Sequence, residues 1–201
     1  MPRLMLLFTV LFFLQCKTKK GLPPGDADYG GLILPGNFEA VVVADSIGPA
    51  RHIAVNDNGD IYVKLRYYKP GEGGNVALRD STGDGKADII KKFGDYPGKG
   101  SLANSMRIHN GYLYFASELV LYRIKLTPGK LIPENKMEVV LTDDHEHGTH
   151  WHITKPISFD NKGNLYVPFG SPSNACQDLK NTPAGIPGFP GLDPCPDLEY
   201  H

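Results

Sequence analysis

Three stretches of the chain can be laid over one another at a fixed spacing: "IAVNDNGDIYV" from Ile53, "MRIHNGYLYF" from Met106 and "ISFDNKGNLYV" from Ile157. Their turn glycines, Gly59, Gly111 and Gly163, step by 52 residues, and so do the aromatics three places on, Tyr62, Tyr114 and Tyr166. Each copy reads strand, turn, strand. Asn or Asp near the glycine supplies the positive φ of a two-residue hairpin turn, and the flanking apolar alternation gives each strand one buried face. A period near 50, with two central strands per unit and outer strands expected over Phe38–Ala44, Gly74–Leu78 and Leu119–Leu126, predicts four-stranded blades of an all-β propeller. An open meander or a sandwich is the competing arrangement, and neither requires a fixed period. About three blades fit between residues 35 and 201. Closed propellers use four or more, so this stretch reads as the N-terminal part of a propeller whose last strands would otherwise present an unpaired edge.

The abundance of turn formers, with 23 Gly and 17 Pro, agrees with short strands joined by tight turns. With 21 basic against 22 acidic residues and no basic stripe, the chain lacks the electrostatic footprint of a nucleic-acid binder.

The first residues read as an export leader. Arg3 precedes an apolar run from Leu4 to Leu14, about half of the ~20 residues that span a bilayer and the length of a signal-peptide core. Cys16, followed by the polar Lys17 to Lys20, stands where a bacterial lipoprotein carries its lipidated cysteine. Gln15 replaces the small residue usual before it. Residues 1–16 are thus expected to be a lipoprotein-type signal ending at the lipidated cysteine, residues 17–34 a tether, and residues 35–201 the propeller part. The protein is expected on the periplasmic side of the inner or outer membrane. With Cys16 acylated, Cys176 and Cys195 remain as a pair for a disulfide in an oxidising compartment.

The stretch "DDHEHGTHWH", Asp143 to His152, holds four of the seven histidines and the only tryptophan. Three readings compete. The spaced pairs His145/His147 and His150/His152 would suit a metal, yet no cysteine or spaced pair beyond them completes a ligand set. Asp143, Asp144 and Glu146 suit a solvated surface turn. A catalytic histidine is the third reading, because the stretch precedes the inner strand of the third unit, where loops gather at one end of a propeller.

From His152 the chain runs "HITKPISFDNKGNLYVPFGSPSNAC" to Cys176. This resembles the central signature of the pyrroloquinoline quinone (PQQ) dependent sugar dehydrogenases, in particular their sorbosone dehydrogenase-like branch: a histidine, a basic residue three or four places on, a strand, Asp/Asn-x-Gly, Leu-Tyr-Val, Gly-Ser, then Asn-x-Cys. "PGNFEAVVVA" from Pro35, "ARHIAV" from Ala50 and "NVALRD" from Asn75 resemble the opening blade of the same family. The resemblance implies a six-bladed propeller of the soluble glucose dehydrogenase type, carrying PQQ and Ca²⁺ at its mouth. His152 then matches the general base that takes the proton of the sugar's C1 hydroxyl as hydride leaves. A neutral imidazole near pH 7 suits that task. Lys155 matches the basic residue after it, placed to stabilise negative charge on the reduced cofactor, with lysine where arginine is usual. Asn104 and Arg66 are the further cofactor-binding candidates.

Asp80, Asp84 and Asp88 in "DSTGDGKAD" are spaced like the first half of a calcium loop, but the twelfth position is Lys91 instead of a bidentate glutamate. An Asp/Gly-rich turn between blades is the plainer reading. The stretch 181–196 is too rich in Pro and Gly for a blade and reads as an inserted loop, stapled if Cys176 bonds Cys195.

The leading functional reading is therefore a tethered, exported PQQ-dependent oxidoreductase of aldoses or sorbosone-like aldehydes, passing electrons to a periplasmic acceptor. Three blades alone would be inactive unless a C-terminal half or a dimer completes the ring. The alternatives are a non-catalytic propeller that binds or scaffolds partners, and a metal-dependent lactonase-like propeller.

Overall fold

A computed structural model describes residues 21–96, 105–134, 136–143 and 155–170. It is all-β, apart from one 3-10 turn at Tyr29–Gly31. The first unit is a four-stranded antiparallel meander: β1 (Ala50–Val55), β2 (Ile61–Leu65), β3 (Asn75–Arg79) and β4 (Ile89–Phe93). The second repeats it with β5 (Met106–His109), β6 (Tyr112–Ala116), β7 (Val120–Lys125) and β8 (Met137–Thr142). A third begins with the pair β9 (Ser158–Phe159) and β10 (Leu165–Tyr166). The chain is thus a β-propeller, with successive sheets as its blades.

All three repeat glycines adopt the left-handed conformation, with φ of 90°, 75° and 84°. The turns themselves differ. Between β5 and β6, Asn110 (φ 46°) and Gly111 form the expected two-residue turn closing the His109–Tyr112 pair. In the first and third units three residues separate the closing pairs Asn56–Asp60 and Asp160–Asn164, whose backbones bond at 2.8 and 3.1 Å. There a single left-handed glycine ends a wider turn, so the two-residue expectation holds only for the middle copy. Gly74–Leu78 and Leu119–Leu126 coincide with β3 and β7. Phe38–Ala44 does not form a strand. Instead it is fastened at points: the Asp26 carboxylate accepts from Val42 N–H at 2.7 Å, and Val43 C=O accepts from Ala87 N–H at 2.8 Å.

Strand alternation decides which blade touches which. Tyr62 and Ala77 on one face of the first blade pack with Leu113, Phe115 and Ile124 on the opposite face of the second. The second blade's Tyr114, Ala116 and Leu121 meet Ile157, Leu165 and Val167 of the third unit in the same way. The interface therefore repeats with the sequence period: on the second strand of each unit, Tyr62 and Tyr114 face the next blade, while Leu113 and Leu165 face the one before. Tyr62 donates from its phenol to Leu131 C=O at 3.1 Å, which satisfies its one polar atom inside this core. The inner strands β1 and β5 lie side by side, bridged by Arg107 Nη1 and His52 Nε2 at 2.8 Å.

Asp60 fixes the turn end of the first blade. Its carboxylate, fully buried, accepts from Arg79 Nε and Nη2, both at 2.7 Å, and from Asn58 Nδ2 at 2.8 Å. The Arg79 hydrogen bonds, together with the one from Asn58, hold the carboxyl below its ordinary 3.8 against the opposing effect of burial. Asp60→Asn is expected to cost about 2 kcal/mol in chemical denaturation, the scale of a charge-assisted hydrogen-bond pair. The contribution is present above the ordinary carboxylate pKa and is lost as pH falls through the folded value, so the difference between the two proteins should close in acid.

Candidate functional site

In an antiparallel meander successive connections alternate between the two ends of the sheet. The hairpin turns after β1, β5 and β9 therefore share one end with the β3–β4 and β7–β8 connections. The opposite end gathers, among the described residues, 66–74, 94–96, 105, 117–119, 143 and 155–157. Asp143, Lys155 and Arg66 belong to this second end, which is the candidate site.

Lys155 is the best defined of the expected site residues. Its side chain is 2% exposed and its Nζ lies 2.5 Å from Oδ2 of Asp143, whose side chain is 0% exposed. The ammonium also stands 5.2 Å from the Phe169 ring centroid. Asp143 is thus a buried partner of Lys155, which corrects its assignment to a solvated surface turn. The two residues flank the histidine-rich stretch in sequence, and Lys155 stands at the odd-face position two residues before Ile157. Ser105, also buried, accepts at its Oγ from Ile157 N–H at 3.1 Å and joins the second blade to the same strand.

Arg66, just beyond β2, is half-buried, donates its backbone N–H to Pro49 C=O at 2.8 Å and holds its guanidinium 5.0 Å over the Tyr67 ring. His152, Asn104, Cys16, Cys176 and Cys195 lie outside the described residues, as do His145, His147, His150 and Trp151.

Sequence reasoning missed a second polar group at this end. Lys64, 1% exposed on β2, donates to the Tyr96 phenol at 2.6 Å and lies 4.9 Å from the centre of that ring. Its cross-strand partner on β3 is Asn75, 0% exposed, whose Oδ1 stands 3.5 Å from the same phenol and whose Nδ2 has no hydrogen-bond partner. Burial pushes the Lys64 ammonium down to about 8 and the Tyr96 phenol well above the usual tyrosine range. The signal was in the repeat: the register-equivalent pair in the second blade is Ala116 and Leu121, both fully buried and apolar. A lysine one step after Tyr62-Val63 breaks the chemistry of an otherwise apolar, doubly buried strand.

The aspartate loop between β3 and β4 sits at the turn end. Asp80 accepts backbone N–H groups of Thr82, Gly83 and Gly85 at 3.1, 2.5 and 2.8 Å. Asp88 accepts from Ser81 N–H and Oγ–H at 2.7 and 2.9 Å, and Asp84 from Lys86 N–H at 2.9 Å. These amides hold Asp80 and Asp88 below the usual carboxylate range. Among the described residues no group of three His, Cys, Asp or Glu side chains gathers to hold a metal ion.

No protein-family model matches the chain, and no curated protein does. Among solved structures it is similar to the holo form of the pyranose dehydrogenase PQQ domain from Coprinopsis cinerea, with TM-score 0.56 and 15% identity over 71% of this chain and 33% of that one. It is also similar to the calcium structure of the Trichoderma reesei carbohydrate-active enzymes family AA12, with TM-score 0.55 and 15% identity over 74% of this chain and 36% of that one. The chain spans about a third of the length of each. At this identity the likeness is one of fold.

Proposed function

We propose that the chain is part of a PQQ-dependent oxidoreductase acting on sugars, with His152 as the general base. The observation that carries this reading is the coincidence of two likenesses: the propeller resembles in fold the PQQ domain of a pyranose dehydrogenase, and the stretch from His152 to Cys176 resembles the PQQ-dependent sugar dehydrogenase signature.

The donors at this second end fit an anionic quinone. Lys64 and Arg66 bring positive charge there, Lys155 stands at the same end paired with Asp143, and Asn75 has a buried Nδ2 with no acceptor. Arg66 and Asn104 would bind the quinone's oxygens, and Lys155 would act on it through its field, oriented by Asp143. When bound, PQQ supplies the two-electron acceptor that the amino acids lack. The protein's own task is proton removal. His152, neutral near pH 7, would take the C1 hydroxyl proton, because hydride leaves readily only from a carbon with alkoxide character. Among the described residues no group of three acidic, His or Cys side chains gathers for a cation, so a Ca²⁺ ligand set would come from elsewhere in the ring. Export through a lipidated Cys16, a disulfide between Cys176 and Cys195, and delivery of electrons to a periplasmic acceptor belong to the same reading.

Titration of the full chain with PQQ and Ca²⁺, followed by cofactor absorbance, tests it. Saturable binding with bleaching on addition of an aldose is expected, and His152→Ala should keep the binding and lose the bleaching. A folded chain that binds no PQQ would overturn the reading and leave a propeller that only presents loops to partners.

A further inference from the structure

The cluster of Lys64, Asn75 and Tyr96 has more hydrogen-bond donors than the protein satisfies. Lys64 carries three N–H groups, and the interactions it makes are with the phenol and ring of Tyr96. Asn75 Nδ2 adds two N–H groups with no acceptor. Tyr96 receives its bond from Lys64 and keeps its own hydroxyl hydrogen for a contact at the limit of hydrogen-bond length with Asn75 Oδ1. Such an arrangement is expensive inside a β-core, where a buried donor without an acceptor has lost its hydration and gained nothing in return. The second blade shows the inexpensive solution at the same register, Ala116 opposite Leu121.

The backbone is shaped around the cluster. A Cβ on Gly74 would stand 2.5 Å from the Tyr96 hydroxyl oxygen, and one on Gly94 would stand 2.9 Å from Asn75 Nδ2. Glycine at both places lets the backbone close directly on the polar atoms. Lys64 lies one residue inside the end of β2 that leads to Arg66, so the cluster is nearer the candidate site than the turn end.

We propose that Lys64, Asn75 and Tyr96 form a receptor for a carboxylate group of a small organic acid. A carboxylate supplies what the cluster lacks: one negative charge and about four lone-pair positions, against an ammonium, a primary amide and a hydroxyl. PQQ, itself a carboxylic acid, is one source of that group, and to that extent the inference rests on the proposed function. Other organic acids are the second source.

The test measures thermal unfolding of the full chain at pH 7 with PQQ or with citrate, using sodium chloride at matched ionic strength as control. Citrate should raise Tm saturably. Lys64→Met/Asn75→Leu, which copies the apolar chemistry of the second blade, should unfold at a higher temperature without ligand and bind the acid at least about tenfold more weakly. Asn75→Asp, which sets a carboxylate of the protein's own beside Lys64, should abolish the citrate response. If citrate protects the wild type alone and PQQ binds neither protein, the receptor stands and the quinone reading falls. If PQQ binds wild type and double variant equally, the receptor is overturned and the quinone reading stands. Absence of any carboxylate effect on the wild type, or an equal effect on the variants, also overturns the receptor.

Discussion

Replacing Lys155 by Met should cost about 3–5 kcal/mol in urea denaturation, with little change in the denaturant slope, because it leaves the Asp143 carboxylate buried without its cation. The geometry sets the size of this effect. Both side chains are withdrawn from solvent and the charged atoms stand 2.5 Å apart, so their mutual attraction offsets part of the hydration the pair has given up. An exposed pair behaves differently: Lys92 and Glu72 at 3.2 Å, each side chain nearly half exposed, should be worth no more than about 1 kcal/mol. Removing both members of the buried pair with Asp143→Leu/Lys155→Met should recover much of the loss, since two well-packed apolar side chains replace an ion pair at little net cost. Near-neutral behaviour of the single Lys155→Met variant would mean that other neighbours neutralise Asp143, and the pair would then not hold the strand that follows the histidine-rich stretch.

The sequence made parts of this architecture legible for identifiable reasons. The inner hairpins were visible because β2 and β6 are short, mostly apolar runs buried on both faces and because the turn between each and its predecessor needs a left-handed glycine. The outer strands β4 and β8 were not read, since both are largely solvated and carry lysines or exposed valines where an apolar stripe would have shown. The β-branched run in Phe38–Ala44 misled in the opposite direction: it has strand propensity but no neighbour to complete a ladder, and a carboxylate and single backbone bonds hold it instead. Asp143 escaped notice because acidic residues beside histidines look solvated, and only the fold brings Lys155 against it across twelve positions. Lys64 could have been found by comparing the repeats position by position, because the apolar requirement at that register is fixed by the second blade.

Lys64→Met should raise stability at pH 7 by about 2–3 kcal/mol, the opposite sign from Lys155→Met. The two lysines are equally buried, but Asp143 neutralises only one of them. Lys64 meets a phenol, an amide and an aromatic ring, none of which carries negative charge near neutral pH. Burial depresses its ammonium from 10.5 to about 8, and that depression corresponds to about 3 kcal/mol at roughly 1.4 kcal/mol per tenfold change. The sign with pH follows from linkage. Below 8 both folded and unfolded chains hold the proton and the full penalty applies; between 8 and 10.5 the unfolded chain binds more protons, so the wild type gains stability as pH rises. The advantage of Lys64→Met should therefore shrink steadily from pH 8 to pH 10. Buried tyrosines act in the other direction above pH 10, since Tyr62 and Tyr68 titrate at about 12 in the fold and ionise earlier when unfolded. That effect is common to both proteins and cancels in their difference, so paired denaturation curves at pH 7 and pH 10 isolate the lysine. A gap that stayed constant with pH would assign the gain to packing alone, and no stabilisation at all would mean that the chain already meets the ammonium in its core, leaving no charge for a ligand to satisfy.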